Sequence, residues 1–400
     1  MKNHTPKLTI GNCQHIVYNR DMDFLFNNFD AVSWKNIVMY AVGIVLIYLA
    51  IKKEYEPALL LPMGFGAILV NLPLSGVVNQ IMPGIGETSG VIEWLFNTGI
   101  HASEAMPLLL FVGIGAMIDF SPLLTKPVYF LFGAGAHFGI FASIALATLL
   151  GFDMKDAASI GIIGAADGPT TILVSQVLRS NYLGAIAVTA YSYMALVPII
   201  QPFAIRLVTT KKERLIRMEP IASSEAPKLL KIVFPILTTV IVGFIAPAAA
   251  ALIGFLMFGN LVRECGVLKS LSDTAQKELT NIITLLLGIT IAFTMQADGF
   301  ITVDTIKIMA IGLFAFIFDT IGGVFFAKFI NIFLKKKVNP MIGAAGISAF
   351  PMSARVIQKM ALKEDPQNIF LMHAVSANVS GQIASVIASG LVLSLITKFI

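Results

Sequence analysis

The sharpest chemical feature of the sequence is an acid set among small residues: Asp167 in GIIGAADGPTTI, followed by Pro169 and the hydroxyls of Thr170 and Thr171. Long apolar stretches lie beyond it. A charged side chain at the centre of a bilayer costs about 2.5 to 3.5 kcal/mol on insertion scales, so such a group usually faces a cavity and has a task there. The neighbouring glycines let a helix break at this point. A broken helix exposes carbonyl oxygens, and carbonyls, a carboxylate and hydroxyls are the hard ligands that a small cation such as sodium takes. The structural alternative is an interfacial Asp capping the half-helix that begins at Pro169; capping and ion binding are compatible.

Further polar groups lie in apolar segments. In AYSYMALVPIIQP, Tyr191 suits an aromatic belt, whereas Tyr193 lies deeper and is expected to donate near Asp167, with simple packing as the alternative. In LMHAVSANVSGQIASVIASG, Asn378, Gly381 and Ser385 follow i, i+3, i+7 spacing and share one helical face, beside Ser380 and Gln382. Such a stripe can merely bond neighbouring helices, but it is expected to face Asp167. Arg355, after Pro351 and Met352, is costly at depth and could meet an anion arriving from the cytoplasm, or snorkel from a helix end. Asp319, in FAFIFDTIGGVFF, has no basic residue within a helical turn; it could line a proton or ion path, or reach His137 or Arg355. Asp119, before Ser121 and Pro122, suits the membrane surface.

The elements that must hold these groups are membrane helices. The 400 residues are 56% hydrophobic and 13% charged, against roughly 25% charged in a soluble domain. Apolar runs of spanning length recur, among them Asn36–Ile51, Pro127–Leu150, Leu183–Leu207, Leu230–Val242 and Asn281–Met295. The net charge of +5 sits in short loops and reports topology, not nucleic acid. Cys13 and Cys265 lie far apart, without metal-type spacing, and support neither a disulfide framework nor zinc. Loops rich in base, Arg206 to Lys231, Lys335–Lys337 and Lys52–Lys53, are expected inside, and the acidic Ala297–Asp304 outside. These assignments agree if Val233–Phe258 is a hairpin of two short helices broken near Pro247.

Two internal matches keep nearly one offset: Pro107–Phe120 with Thr284–Asp298, and Gly164–Gln176 with Gly343–Gln358. They predict an inverted repeat in which both Gly-rich segments enter the membrane from opposite faces and return, with kinked crossing helices as the alternative. The expected fold is an all-α polytopic membrane protein of about 9 to 10 transmembrane helices with two broken or re-entrant segments. Its expected division is an N-terminal lead-in at 1–35, a first membrane hairpin and interfacial segment at 36–103, a first repeat with a broken helix at 104–207, a cytoplasmic loop and linking hairpin at 208–280, and a second repeat with a broken helix at 281–400. Met1–Asp21 is polar and lacks the pattern of a signal peptide, and Met22 is an alternative start.

Six stretches, GIGAMIDFSPLL, IGIIGAADGPTTI, SYMALVPIIQP, MFGNLVRECGVLKSLSDTAQKEL, NPMIGAAGISAFPMSARV and HAVSANVSGQIAS, resemble in that order the beta subunit of sodium-pumping biotin-dependent decarboxylases, from Ser33 to the C-terminus. Members act on oxaloacetate, methylmalonyl-CoA, glutaconyl-CoA or malonate. The resemblance implies a multi-pass subunit of the inner (plasma) membrane that takes carboxybiotin from a partner carrier protein, releases carbon dioxide, and exports sodium while an external proton is consumed. Implied partners are a carboxyltransferase and biotin-carrier alpha subunit, a small membrane gamma subunit and a homo-oligomer; no nucleic acid is implied. By motif, the family's essential acid falls on Asp167, its tyrosine on Tyr193 and its polar helix on Asn378, Gly381 and Ser385. Cys265 and Gly266 depart from an expected Ser-Gly, and Asp319 stands where the resemblance gives no acid. A sodium-coupled secondary transporter or antiporter remains the rival, since inverted halves and a midplane acid serve it equally.

Overall fold

Local sequence starts and stops the helices in the ways their chemistry requires. Ser33 and Asn36 cap each other at the head of Trp34–Lys53, Thr302 caps Val303–Phe333 by accepting the Thr305 amide, and a Thr210–Glu213 capping box opens the short helix Lys211–Arg214. A computed structural model describes residues 29–54, 57–82, 84–102, 104–218 and 226–398. The alternative start at Met22 therefore lies outside the described residues.

The fold is all-α and polytopic, with one two-stranded antiparallel hairpin, Asn79–Met82 against Gly86–Ser89, among the described residues. Among the described residues six helices are long and apolar enough to cross a membrane, and the number rises to eight if each of two bent pairs, Val91–His101 with Ala105–Met117 and Leu183–Met194 with Leu196–Val208, is one span. Short helices complete the bundle: Pro57–Val70 packs on Trp34–Lys53, and Ala250–Glu264 packs on Ala105–Met117. Lys228–Ile245 and Ala250–Glu264 form the expected hairpin, broken at Pro247–Ala249.

The same order of elements occurs twice. A crossing helix (Ala105–Met117; Thr280–Ile291), a second helical run (Pro127–Leu149; Val303–Phe333), a broken pair (Met154–Gly161 with Gly168–Val177; Met341–Ala344 with Met352–Glu364) and a 26-residue helix (Leu183–Val208; Leu371–Ile396) follow one another in each half. In both halves the Gly-rich segment turns back on itself instead of continuing as a kinked crossing helix. Backbone so broken survives in a membrane only where protein satisfies its carbonyls.

Ion pairs gather at one face. Arg214 meets Glu364 at 2.9 Å, Arg217 meets Asp365 at 2.6 Å, and Lys328 meets Glu213 at 2.9 Å. This network ties the basic loop to the return limb of the second Gly-rich segment, so that segment enters from the face that carries the basic loop. The first segment starts at Met154 and returns at Val177 near the opposite face, where Lys35 pairs with Asp298 at 2.8 Å.

The network is acid-labile in a calculable direction. Burial pushes the Glu213 carboxyl up, but Lys328 and the Thr210 hydrogen bonds outweigh it, and Arg217 with the Gln367 amide draws Asp365 down. Carboxyls lowered on folding stabilise above their unfolded values of 4.5 and 3.8 and lose that contribution as pH falls through the folded values. Limited proteolysis of the 209–218 loop is therefore expected to stay constant from pH 8 to about 5 and to accelerate only below about pH 4. A loop already loosened at pH 6 would contradict the assignment.

Candidate functional site

Two chain breaks meet at the centre. The inbound helix Met154–Gly161 passes through a tight turn at Ile162–Ala165, and Ala166 takes the left-handed conformation at φ 55°. A non-glycine residue held there costs on the order of 1–2 kcal/mol, and the strain serves to aim Asp167 back into the protein. Asp167 then caps Gly168–Val177: the Thr170 amide donates to Oδ1 at 3.2 Å and the Thr170 hydroxyl to Oδ2 at 2.6 Å. At 3% exposure Asp167 lies inside the bundle, away from the protein surface. The helix N-terminus stabilises negative charge there.

The second break arrives from the other side. The Ser348 amide donates to the Ala165 carbonyl at 3.0 Å, joining the two tips directly. Freed carbonyls of the second tip are filled by the C-terminal helix Leu371–Ile396: Asn378 Nδ2 donates to Ala345 O at 3.1 Å and Ile347 O at 2.7 Å, and Gln382 Nε2 donates to Ser348 O. Gly381 completes the seat, because a Cβ there would land on the Gly346 carbonyl. One turn further, Ser385 Oγ reaches Asp167 Oδ2 at 3.1 Å and Gln382 O at 3.0 Å.

A hydroxyl has one proton, so Ser385 cannot donate to both oxygens at once. With its proton on Gln382 O it turns a lone pair towards Asp167, which is the arrangement a cation between the two would need. Asn378 offers a second available oxygen: its Oδ1 is buried with no hydrogen-bond partner. Asn378 lies two turns from Ser385, about 10 Å along the axis, so these oxygens do not share one coordination shell. Ser385→Ala deletes the only neutral side-chain oxygen brought to Asp167 from the second half among the described residues. It is expected to raise the sodium concentration for half-maximal decarboxylation about tenfold, on the order of 1.4 kcal/mol, with little change in maximal rate. An unchanged sodium dependence would remove Ser385 from the ion path.

The remaining expected residues fall elsewhere. Tyr193 gives its hydroxyl to Met309 O at 2.6 Å, on the long helix Val303–Phe333, instead of to Asp167. It is Tyr191 that is buried against the site, its ring packed on Gly168 so closely that a Cβ would overlap it, and not held in an aromatic belt. The two tyrosines are two residues apart on one helix and so point to different sides. Arg355 is exposed, one turn into the return limb Met352–Glu364, at the end nearer the second tip. Asp319 reaches neither His137 nor Arg355: it accepts the amides of Gly139 and Ile140 and so caps Phe138–Leu149 from another helix, with Oδ2 unpartnered beside Gly164. His137 instead bonds Gly133 O at 2.7 Å and Ser348 Oγ at 3.3 Å.

The sequence marks Thr170 only as one of two hydroxyls after Asp167, and it does not mark Ser348. Thr170 had a signal, since an acid three residues before a Thr at a helix start is a cap pattern. Ser348 had none, as its tip-to-tip contact spans the two halves.

Residues 35–396 match the family model described as the Na+-transporting oxaloacetate decarboxylase beta subunit. The chain is 45% identical over 372 residues to the methylmalonyl-CoA decarboxylase subunit beta of Veillonella parvula, covering 93% of this chain and 96% of the relative. It is 45% identical to the glutaconyl-CoA decarboxylase subunit beta of Acidaminococcus fermentans, over 92% and 96% of the two chains. A probable oxaloacetate decarboxylase beta chain of Vibrio cholerae is 43% identical, over 90% and 95%.

Proposed function

Because the chain belongs to the family of Na+-transporting decarboxylase beta subunits, multi-pass membrane components of multi-subunit enzymes, we propose that Asp167 is the group through which decarboxylation and sodium export are coupled. The observation that carries this reading is the buried Asp167 carboxyl between the two broken segments, with the Ser385 hydroxyl at 3.1 Å.

Ionised and reached from the cytoplasm, Asp167 binds sodium with Ser385 Oγ and exposed carbonyls, while Asn378 Oδ1 lines the approach and Gly381 lets the second tip come close. Tyr193 serves by fixing its helix to Val303–Phe333. A proton from the outer side then neutralises Asp167 and releases the ion outward. Moving one charge against 100 mV costs about 2.3 kcal/mol, so the site must bind sodium well when open inward and poorly when open outward.

The substrate is carboxybiotin, presented on the cytoplasmic side by a carboxyltransferase and biotin-carrier alpha subunit, with a small membrane gamma subunit in the same complex. Arg355, exposed on the return limb, meets the incoming carboxylate. The N–C bond breaks, carbon dioxide leaves, and the ureido nitrogen takes the proton that displaced sodium. Asp319 is assigned to capping, since two backbone amides already face its carboxyl.

Avidin separates this reading from a free-standing transporter. In inverted vesicles carrying the whole complex, sodium uptake driven by the decarboxylase substrate is expected to stop when avidin occupies the carrier's biotin. Uptake indifferent to avidin would make the chain a secondary carrier.

A further inference from the structure

Coupling through Asp167 needs a way from that carboxyl to the outer face. Thr171 and Ser175 stand one and two turns beyond Asp167 on Gly168–Val177, on the same side of the helix. Thr171 Oγ1 donates to Asp167 O at 2.7 Å. Ser175, about 12 Å from Asp167 along the axis, is 1% exposed, and its hydroxyl has no hydrogen-bond partner among the described residues. A buried hydroxyl left unpaired costs about 1–3 kcal/mol, unless water or an ion meets it.

Ser175 also lines a cavity of about 630 Å³ that is bordered by Arg179, Asn181, Thr294, Gln296 and Asp298. Of these, Asp298 belongs to the acidic loop that the charge pattern places outside, and the Lys35–Asp298 ion pair sits at the same end. Polar walls of this kind hold water, whereas the large groove beside Phe138 and Phe325 is walled by apolar side chains. The crevice carries both signs of charge, Arg179 on one part of its wall and Asp298, itself paired with Lys35, on another.

We propose that the Thr171–Ser175 face of the helix Gly168–Val177 and the crevice that Ser175 lines form the outer half of the ion path, through which a hydrated monovalent cation leaves and the external proton arrives. The inference rests on Asp167 as the exchange site. One turn inward from Ser175 the only hydroxyl on this face, Thr171, is fully buried, and outward the crevice begins.

The test uses right-side-out vesicles carrying the complete decarboxylase, with Cys13→Ala and Cys265→Ala to remove native thiols. Ser175→Cys is treated with a membrane-impermeant cationic methanethiosulfonate from the outside. Fast modification and more than tenfold loss of sodium transport are expected, with modification from the cytoplasmic side at least tenfold slower. Thr171→Cys, deeper by a turn, is expected to react more slowly than Ser175→Cys, and Asp298→Cys, on the rim, faster. Equal reactivity from both sides, or an inert Ser175→Cys variant beside a reactive Asp298→Cys control, overturns the route. Should Ser175→Cys not assemble, the same comparison of sides on Thr171→Cys decides. Loss of coupling in Asp167→Asn together with an inert thiol in Ser175→Cys leaves the exchange site standing and rejects only its outer path.

Discussion

Asp167→Asn is expected to abolish sodium transport and to lower decarboxylation at least about 100-fold, the equivalent of some 3 kcal/mol in the barrier. The substitution is nearly isosteric, and Asn caps helices about as well as Asp. Thr170 can still donate to the amide oxygen, so the turn at Ala166 and the contact between the tips persist. What disappears is the charge, and with it both the hard anionic ligand for sodium and the acceptor for the displacing proton. Both rates should fall together in the purified complex, while the variant still elutes as a folded assembly. A complex that keeps full decarboxylation without transport would mean that chemistry and ion movement are linked through another group.

Gly381→Val is expected to leave less than about a tenth of the activity for a different reason. No Cβ can occupy position 381 without meeting the Gly346 carbonyl, and the branched Val side chain cannot bend away. The second tip must therefore retreat from Leu371–Ile396, which loosens the Asn378 and Gln382 bonds to its carbonyls and withdraws Ser348 from Ala165. Overpacking of this kind typically costs about 1–3 kcal/mol. Melting in detergent should drop by a few degrees, and the half-maximal sodium concentration should rise. Gly381→Ala, with one methyl, should fall between. Full activity in the Val variant would show that the two tips need not touch.

Both variants act through contacts that differ in how readable they were. Asp167 was conspicuous because a carboxylate amid glycines in an apolar stretch has few explanations, and its cap with Thr170 is local. The stripe Asn378, Gly381, Ser385 was visible as a helical face, and Ser385 does meet Asp167 across 218 residues of sequence. Depth and motif both point to Tyr193 over Tyr191, yet neither fixes the direction of a side chain. The turn of the helix sends Tyr193 to Met309 and packs Tyr191 on Gly168. Asp319 looked like an acid in search of a base, and its partners proved to be backbone amides at the break of another helix.

In the sequence alone one could read that the chain lies in a membrane, where several apolar spans run, which loops gather the positive charge, that Gly-rich breaks occur in two places, and that Asp167 stands among apolar stretches. Those follow from hydropathy, loop charge and short-range capping, which depend on neighbours a few residues apart. Only the tertiary structure decided that the tips touch through Ser348 and Ala165, that Asn378 and Gln382 fill the freed carbonyls, and that Ser175 opens on a polar crevice. A carbonyl released by a broken helix must find a donor, but in a bilayer any nearby helix can supply it, and the choice is made by packing.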